Sequence, residues 1–217
     1  MRYKNICSDF NRHTYHIFGC GAIGSSVAIA LAKMNACKFV LYDNDEVSEE
    51  NIGISMYTRD KEGLKKTKAL RDLIELNGSS EVFRISINDS WLDADSFIVG
   101  SGKLDFGILA FDNMFSRKEI ANVCFKSNIN YIIDARMGAE QLQVYTVKNY
   151  KDYLKYWYPD SDASTETCTN KGTSYCSMLS GGLVVSQIRK ILTKQPYHKE
   201  FCFHIPSMNL ECSTIVK

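Results

Sequence analysis

Hydrophobic and polar positions alternate along the first two thirds of the chain with two different periods in turn. Residues 14–18 (TYHIF), 38–43 (KFVLYD), 82–87 (VFRISI), 105–111 (DFGILAF) and 130–135 (NYIIDA) are short apolar runs rich in β-branched and aromatic residues, which predicts strands. Between them lie apolar stripes at helical spacing. Ile23, Val27, Leu31 and Met34 form one stripe, and Leu70, Leu73 and Ile74 mark a second helix over 63–77, with a third near 115–128. Strand and helix in strict alternation predict an α/β fold, with a doubly wound, mostly parallel sheet covered by helices on both faces. Beyond residue 136 the rhythm changes. Residues 141–147 (QLQVYTV) and 201–205 (FCFHI) read as strands, and 177–193 reads as a helix with Val184, Ile188, Ile191 and Leu192 facing inward. Residues 150–176 form a polar, tyrosine-rich excursion between them. That order predicts a late antiparallel extension of the sheet. The chain shows no internal repeat, and 1–217 is read as one domain with its first half running from about 14 to 135.

Composition narrows the function classes. The 26 basic and 25 acidic residues leave a net charge of +1, which points away from nucleic acid and anionic membranes as partners. The opening MRYKNICSDFNRHTYHIF lacks the apolar core of a secretory signal, and no apolar stretch is long enough for a membrane span. The eight cysteines, at 7, 20, 37, 124, 168, 176, 202 and 212, include no CxxC pair. Reduced thiols in a cytoplasmic protein, with no zinc site, are the expectation.

The first chemistry appears where the first strand gives way to a helix. Gly19-Cys20-Gly21-Ala22-Ile23-Gly24 is a G-x-G-x-x-G turn in the strand–helix context that such a motif requires. Its glycines serve a tight turn, close approach of a phosphate or ribose, and close helix–strand packing. Asp43 ends the second strand 19 residues after Gly24, where a carboxylate can accept hydrogen bonds from ribose hydroxyls. Together they predict a Rossmann-like nucleotide site without separating NAD from ATP.

Further motifs separate the two. A D-x-D-x-V segment leading to an asparagine (DNDEVSEEN, Asp43 to Asn51) is followed by a helix opened by G-x-x-K with a nearby lysine (GLKKTKA). A strand then ends in D-N-x-x-x-R (DNMFSR, Asp112 to Arg117). In this order, over about residues 14–136, the chain resembles the ThiF/MoeB superfamily, which includes the adenylation domains of ubiquitin-activating enzymes. The resemblance implies an ATP-dependent adenylyltransferase acting on the C-terminal carboxylate of a ubiquitin-like or sulfur-carrier protein, or a peptide, ending in glycine. It also implies a homodimer, with residues 136–217 as the carrier-binding and dimer half. By the same resemblance Gly19, Gly21, Ala22, Gly24, Asp43, Asp45, Asn51, Lys68 and Asn113 contact the nucleotide. Asp43 would hold the ribose, Asn51 and Lys68 the phosphates, and Asp112 a magnesium ion, whose hard character suits carboxylate and phosphate oxygens.

Four features leave alternatives open. Ile54 stands where the family has an arginine three residues after its asparagine. Its charge would have to come from Arg59, or from Arg12 or Arg2 of a second subunit. Otherwise the chain is a nucleotide-binding scaffold, and an NAD(P)-linked oxidoreductase is the remaining reading. Cys168 lies in a polar loop (TETCT) at the place where some relatives carry an acceptor thiol, and Cys176 is the second candidate. Asp134 and Arg136 read equally as a carboxylate-receiving pair in a substrate channel or as a structural ion pair, and the tyrosines between 145 and 158 as a partner surface or as core.

Overall fold

The computed structural model describes Ile6 and residues 9–78, 84–88, 103–162, 172–213 and 215–216, with backbone alone for 84–88. In chain order the strands are β1 (Thr14–Phe18), β2 (Lys38–Tyr42), β3 (Arg84–Asn88), β4 (Asp105–Leu109), β5 (Tyr131–Gly138) and β6 (Gln141–Val147). They continue with β7 (Tyr197–His198), β8 (Glu200–His204), β9 (Asn209–Cys212) and β10 (Ile215–Val216). The helices are α1 (Ala22–Lys33), α2 (Glu49–Ile52), α3 (Lys66–Asn77), α4 (Met114–Lys126), α5 (Tyr150–Tyr153) and α6 (Ser174–Leu192). One eight-stranded sheet has the order β3-β2-β1-β4-β5-β6-β8-β9, and β7 pairs with β10 apart from it.

The pairings from β3 through β5 are all parallel, and those from β5 through β9 are antiparallel. The predicted doubly wound sheet with a late antiparallel extension is therefore the fold. Central strands β1 and β4 are buried at every position, as parallel strands covered on both faces must be. Successive side chains divide between two cores. Tyr15, Ile17, Phe39, Leu41, Phe106 and Ile108 pack with α1, α3 and α6, whereas Phe18, Val40, Tyr42, Leu109 and Ile132 pack with α4 and its neighbours.

The boundaries differ from expectation in instructive ways. Helix α6 begins at Ser174 rather than 177 because Thr173 caps it, its Oγ1 accepting the Cys176 N–H. Helix α4 likewise starts at Met114, behind the Asn113 cap. Strand β9 carried no usable signal, since all four of its residues are exposed and it has no buried face.

A buried ionic cluster fastens the parallel half to the antiparallel half. Asp134, on the α4 side of β5, has no exposed side-chain surface. It accepts bonds from Arg117 of α4, from Arg136 at 2.7 and 3.0 Å, and from the Tyr153 hydroxyl of α5 at 3.1 Å. Arg117 also donates to the carbonyls of Leu109, Phe111 and Ala135. Arg136 lies over the rings of Tyr145 and Tyr158 and donates to Tyr156 O at 2.9 Å. Asp134 and Arg136 are thus a structural pair rather than a carboxylate receiver, housed by Tyr145, Tyr153, Tyr156 and Tyr158. Burial alone would raise the Asp134 pKa, but the Arg117 and Arg136 charges and the Tyr153 hydroxyl outweigh it and hold the carboxyl below its ordinary range.

Asp134→Asn leaves two buried guanidiniums undercompensated and should destabilise the fold by roughly 3–5 kcal/mol, read from denaturant unfolding. Because the folded pKa is depressed, the wild-type contribution is complete above the unfolded carboxylate value of about 3.9 and is lost as pH falls through the lower folded value. The variant should lack that component of acid sensitivity.

Candidate functional site

The sheet reverses its winding between β1 and β4, and at this switch point the carboxyl ends of both strands open a crevice. The glycine turn sits there. Gly19 follows β1 with φ +91°, and its N–H donates to Tyr42 O at 2.9 Å. A Cβ on Gly19 would lie 2.8 Å from Ala110 O, and one on Gly24 would fall 1.9 Å from Gly19 O, so both positions require glycine. Gly21 is different. A Cβ there would meet nothing within 4 Å, so internal packing does not demand glycine at that position. It caps α1, whose first turn presents backbone N–H groups and a positive dipole end to the same open space, an arrangement suited to phosphate. Ala22 opens that helix, and its carbonyl is braced by Ser177 Oγ of α6 at 2.7 Å.

Asp43, just past β2 and nearly buried, locks the turn from the side. Its Oδ2 accepts the Cys20 N–H at 2.7 Å and its Oδ1 accepts the Asp45 N–H at 2.9 Å. Each oxygen keeps a further lone pair for a ribose hydroxyl. The loop after Asp43 is tied to the start of α3 by two backbone bonds of 2.9 Å, Val47 N–H to Leu64 O and Lys66 N–H to Asp45 O. Lys66 is buried against this loop and its Nζ lies 2.8 Å from Asp45 Oδ2. Lys68 is exposed two residues further along α3, which turns it roughly 200° around the helix from Lys66. The lysine that the fold brings to the glycine turn is therefore Lys66, the residue that a G-x-x-K count from Gly63 singles out.

The segment carrying Ile54 is stitched in place without an arginine. Asn51 closes a capping box on α2, its Oδ1 accepting the Ser48 N–H at 3.0 Å, so what it can offer a ligand is its amide nitrogen. Ser55 Oγ donates to Asn51 O at 2.6 Å, and the Met56 N–H donates to Ser25 Oγ of α1 at 3.1 Å. The buried Tyr57 hydroxyl donates to Cys20 O at 2.6 Å and lies 3.1 Å from Lys66 O. Arg59 is exposed in the short turn that follows. Arg12 lies at the amino end of β1, the opposite rim from the glycine turn, so it cannot serve this chain's own site.

On the far side of the turn, Asp112 stands exposed one residue beyond Phe111, whose carbonyl is held by Arg117. Asn113 spends its side chain on capping, its Oδ1 accepting the Ser116 N–H at 2.7 Å, so its expected nucleotide contact competes with that role. The excursion clasps this corner too. Asp160 accepts the Met114 N–H at 3.0 Å, the Trp157 indole donates to Met114 O at 2.7 Å, and Lys118 lies over the Trp157 ring. Cys176 is buried, and burial with the Glu140 carboxylate nearby pushes its thiol up to about 11, which disfavours it as a nucleophile at neutral pH. Cys168 lies outside the described residues. Among the described residues no three His, Cys, Asp or Glu side chains gather to hold a metal. Asp112 suits magnesium bound chiefly by phosphate oxygens with one carboxylate, the mode that ion favours.

A glycine turn, a ribose-level carboxylate, a buried lysine and an exposed aspartate on one rim can seat a nucleoside triphosphate. The ThiF family profile matches residues 4–216. Ubiquitin-like modifier-activating enzyme 5 of Caenorhabditis briggsae is 30% identical over 124 residues, covering 53% of this chain and 29% of the relative. The Drosophila melanogaster protein of the same name is 28% identical over 144 residues, covering 60% and 36%. In fold, the chain superposes on Escherichia coli MccB crystallised with ATP at a TM-score of 0.74 and 17% identity, covering 96% of this chain and 65% of that one. The microcin C7 biosynthetic enzyme MccB with N-formylated MccA gives 0.76 and 17%, covering 96% and 66%. The matched segments amount to about a third of the length of these curated relatives, and the superposition to about two thirds of MccB. No helix among the described residues is long and apolar enough to cross a membrane.

Gly24→Ala should fail to seat α1 against the turn, lowering thermal stability and abolishing nucleotide binding together. Gly21→Ala should leave stability within about 1 kcal/mol and weaken nucleotide binding alone, as thermal shift with and without ATP would report.

Proposed function

This chain belongs to the ThiF family, and from that premise we propose that it is an ATP-dependent adenylyltransferase. The reaction is activation of the C-terminal carboxylate of a ubiquitin-like or sulfur-carrier protein, or a peptide, ending in glycine. The observation that carries this reading is the carboxyl rim of the sheet, where the glycine turn is bonded to Asp43, Lys66 pairs with the loop beyond Asp43, and Asp112 lies exposed past the end of the adjacent β4. A dehydrogenase would need neither the lysine nor the second aspartate there. The curated relatives are named as ubiquitin-like modifier-activating enzymes, which supports a carrier protein as substrate.

In the proposed reaction a carboxylate oxygen attacks the α-phosphorus, the bond from that phosphorus to the bridging oxygen breaks, and pyrophosphate leaves with the electron pair. The chain's task is to position the partners and offset charge. Asp43 would accept the ribose hydroxyls while keeping its two backbone bonds. Lys66 would exchange Asp45, whose side chain is mostly exposed, for a phosphate oxygen. Asn51 would offer its amide. Magnesium bound at Asp112 would neutralise charge on the triphosphate. With Ile54 in the family's arginine position, the remaining positive charge would come from a second copy of the chain, in keeping with a homodimer. The same substitution supports a second reading, a scaffold that binds nucleotide without turnover. A later thiol step is assigned to Cys168.

ATP–pyrophosphate exchange tests the reading. Exchange should require a carrier ending in glycine, and ATP binding without exchange would favour the scaffold. Lys66→Ala should cut exchange on the order of 100-fold, Lys68→Ala should change it little, and Asp112→Ala should abolish magnesium-dependent exchange while leaving the fold intact. Cys168→Ser should leave exchange intact.

A further inference from the structure

We propose that Tyr57 is a positioning residue that aims the Gly21 amide and holds it at a fixed separation from Lys66, so that one triphosphate meets both. This deepens the adenylation reading and rests on it. Tyr57 is 3% exposed and belongs to the core under α1 and α3, yet its hydroxyl reaches two separate elements. Its single proton points to Cys20 O at 2.6 Å and is shared with Lys66 O at 3.1 Å. Cys20 is thereby gripped at both backbone polar groups, because Asp43 already holds its N–H at 2.7 Å.

The geometry of the peptide unit supplies the consequence. Cys20 C=O and Gly21 N–H belong to one planar trans peptide, in which the two bonds point in opposite directions. Turning the carbonyl inward to Tyr57 turns the Gly21 N–H outward, to the side where a Gly21 Cβ would find nothing within 4 Å. The tyrosine is itself anchored from both directions. Its N–H donates to Ser55 Oγ at 3.3 Å, and Met56 beside it donates to Ser25 Oγ of α1. Burial, with the Cys20 thiol and the Asp43 carboxylate nearby, pushes the phenol pKa far up, so the hydroxyl stays a donor at any working pH.

The test is Tyr57→Phe in the full chain, with Lys66→Ala and the double variant beside it. Calorimetry should show MgATP binding weakened roughly five- to tenfold by Tyr57→Phe, most of that loss disappearing in the Lys66→Ala background. Adenosine, lacking phosphates, should keep its affinity within about twofold. Equal losses for MgATP and adenosine, or losses that add across the two substitutions, would mean a merely structural tyrosine and would overturn the proposal. A ligand-free measurement decides it independently. Amide hydrogen exchange should speed up at residues 20–22 and 66–68 together in Tyr57→Phe, with other helices unchanged, and unaltered protection there would sink the coupling. If the wild type neither binds ATP nor exchanges pyrophosphate, the adenylation reading fails, while amide exchange still decides the Tyr57 coupling.

Discussion

A carboxylate with no access to water, held by two guanidiniums, is the constraint on which the molecule turns. Asp134 cannot stay charged in the core without Arg117 and Arg136, and neither arginine can stay buried without it. The three arrive from β5 and α4, and the second arginine brings Tyr145 of β6 and Tyr158 beyond it with it. Satisfying one buried charge therefore closes the chain's second half over the carboxyl end of its first half. Arg117 shows the economy of a planar five-donor group. It serves the ion pair and also ties the carbonyls of Leu109, Phe111 and Ala135, fixing the strand end from which Asp112 projects.

Around that corner the candidate site divides its work between rigid and open positions. Gly19 and Gly24 are glycines because protein atoms stand where side chains would go. Gly21 is a glycine where no protein atom stands, so the turn is open on that side. The polar groups closest to the turn are already partnered, with Asp43 holding two backbone amides and Lys66 a mostly exposed aspartate. Of these, the Lys66 pair is the one that can open at little cost, since an ion pair reaching solvent on one side contributes only modestly to stability.

Most of the fold was legible in the sequence because each central strand is buried on both faces and each helix on one, and burial writes itself as periodicity. The signal failed where burial fails. Strand β9 has no covered face, and the β7–β10 pair spans two residues on each strand. The site was half legible. The glycine turn and Asp43 follow from local order, and backbone bonds beside them agree with their expected places. Lys66 and Lys68 differ only in which face of α3 they occupy, which the packing of Leu70, Leu73 and Ile74 decides. Arg136 looked like a candidate for substrate because its partners, Tyr145, Tyr156 and Tyr158, lie several residues away across a turn. Tyr57 stands outside every sequence motif, and only the approach of Cys20 O and Lys66 O gives its hydroxyl a purpose.

The sheet is not equally protected across its width. It passes from β1 and β4, sealed on both faces, to β9, whose four residues all meet solvent and whose outer edge has no neighbour among the described residues. Local opening follows such a gradient, with the least covered hydrogen bonds yielding first. The outer antiparallel strands can thus fray and re-form while the rim between β1 and β4 keeps its shape, so the chain carries a mechanically soft margin on one flank of a stiff centre.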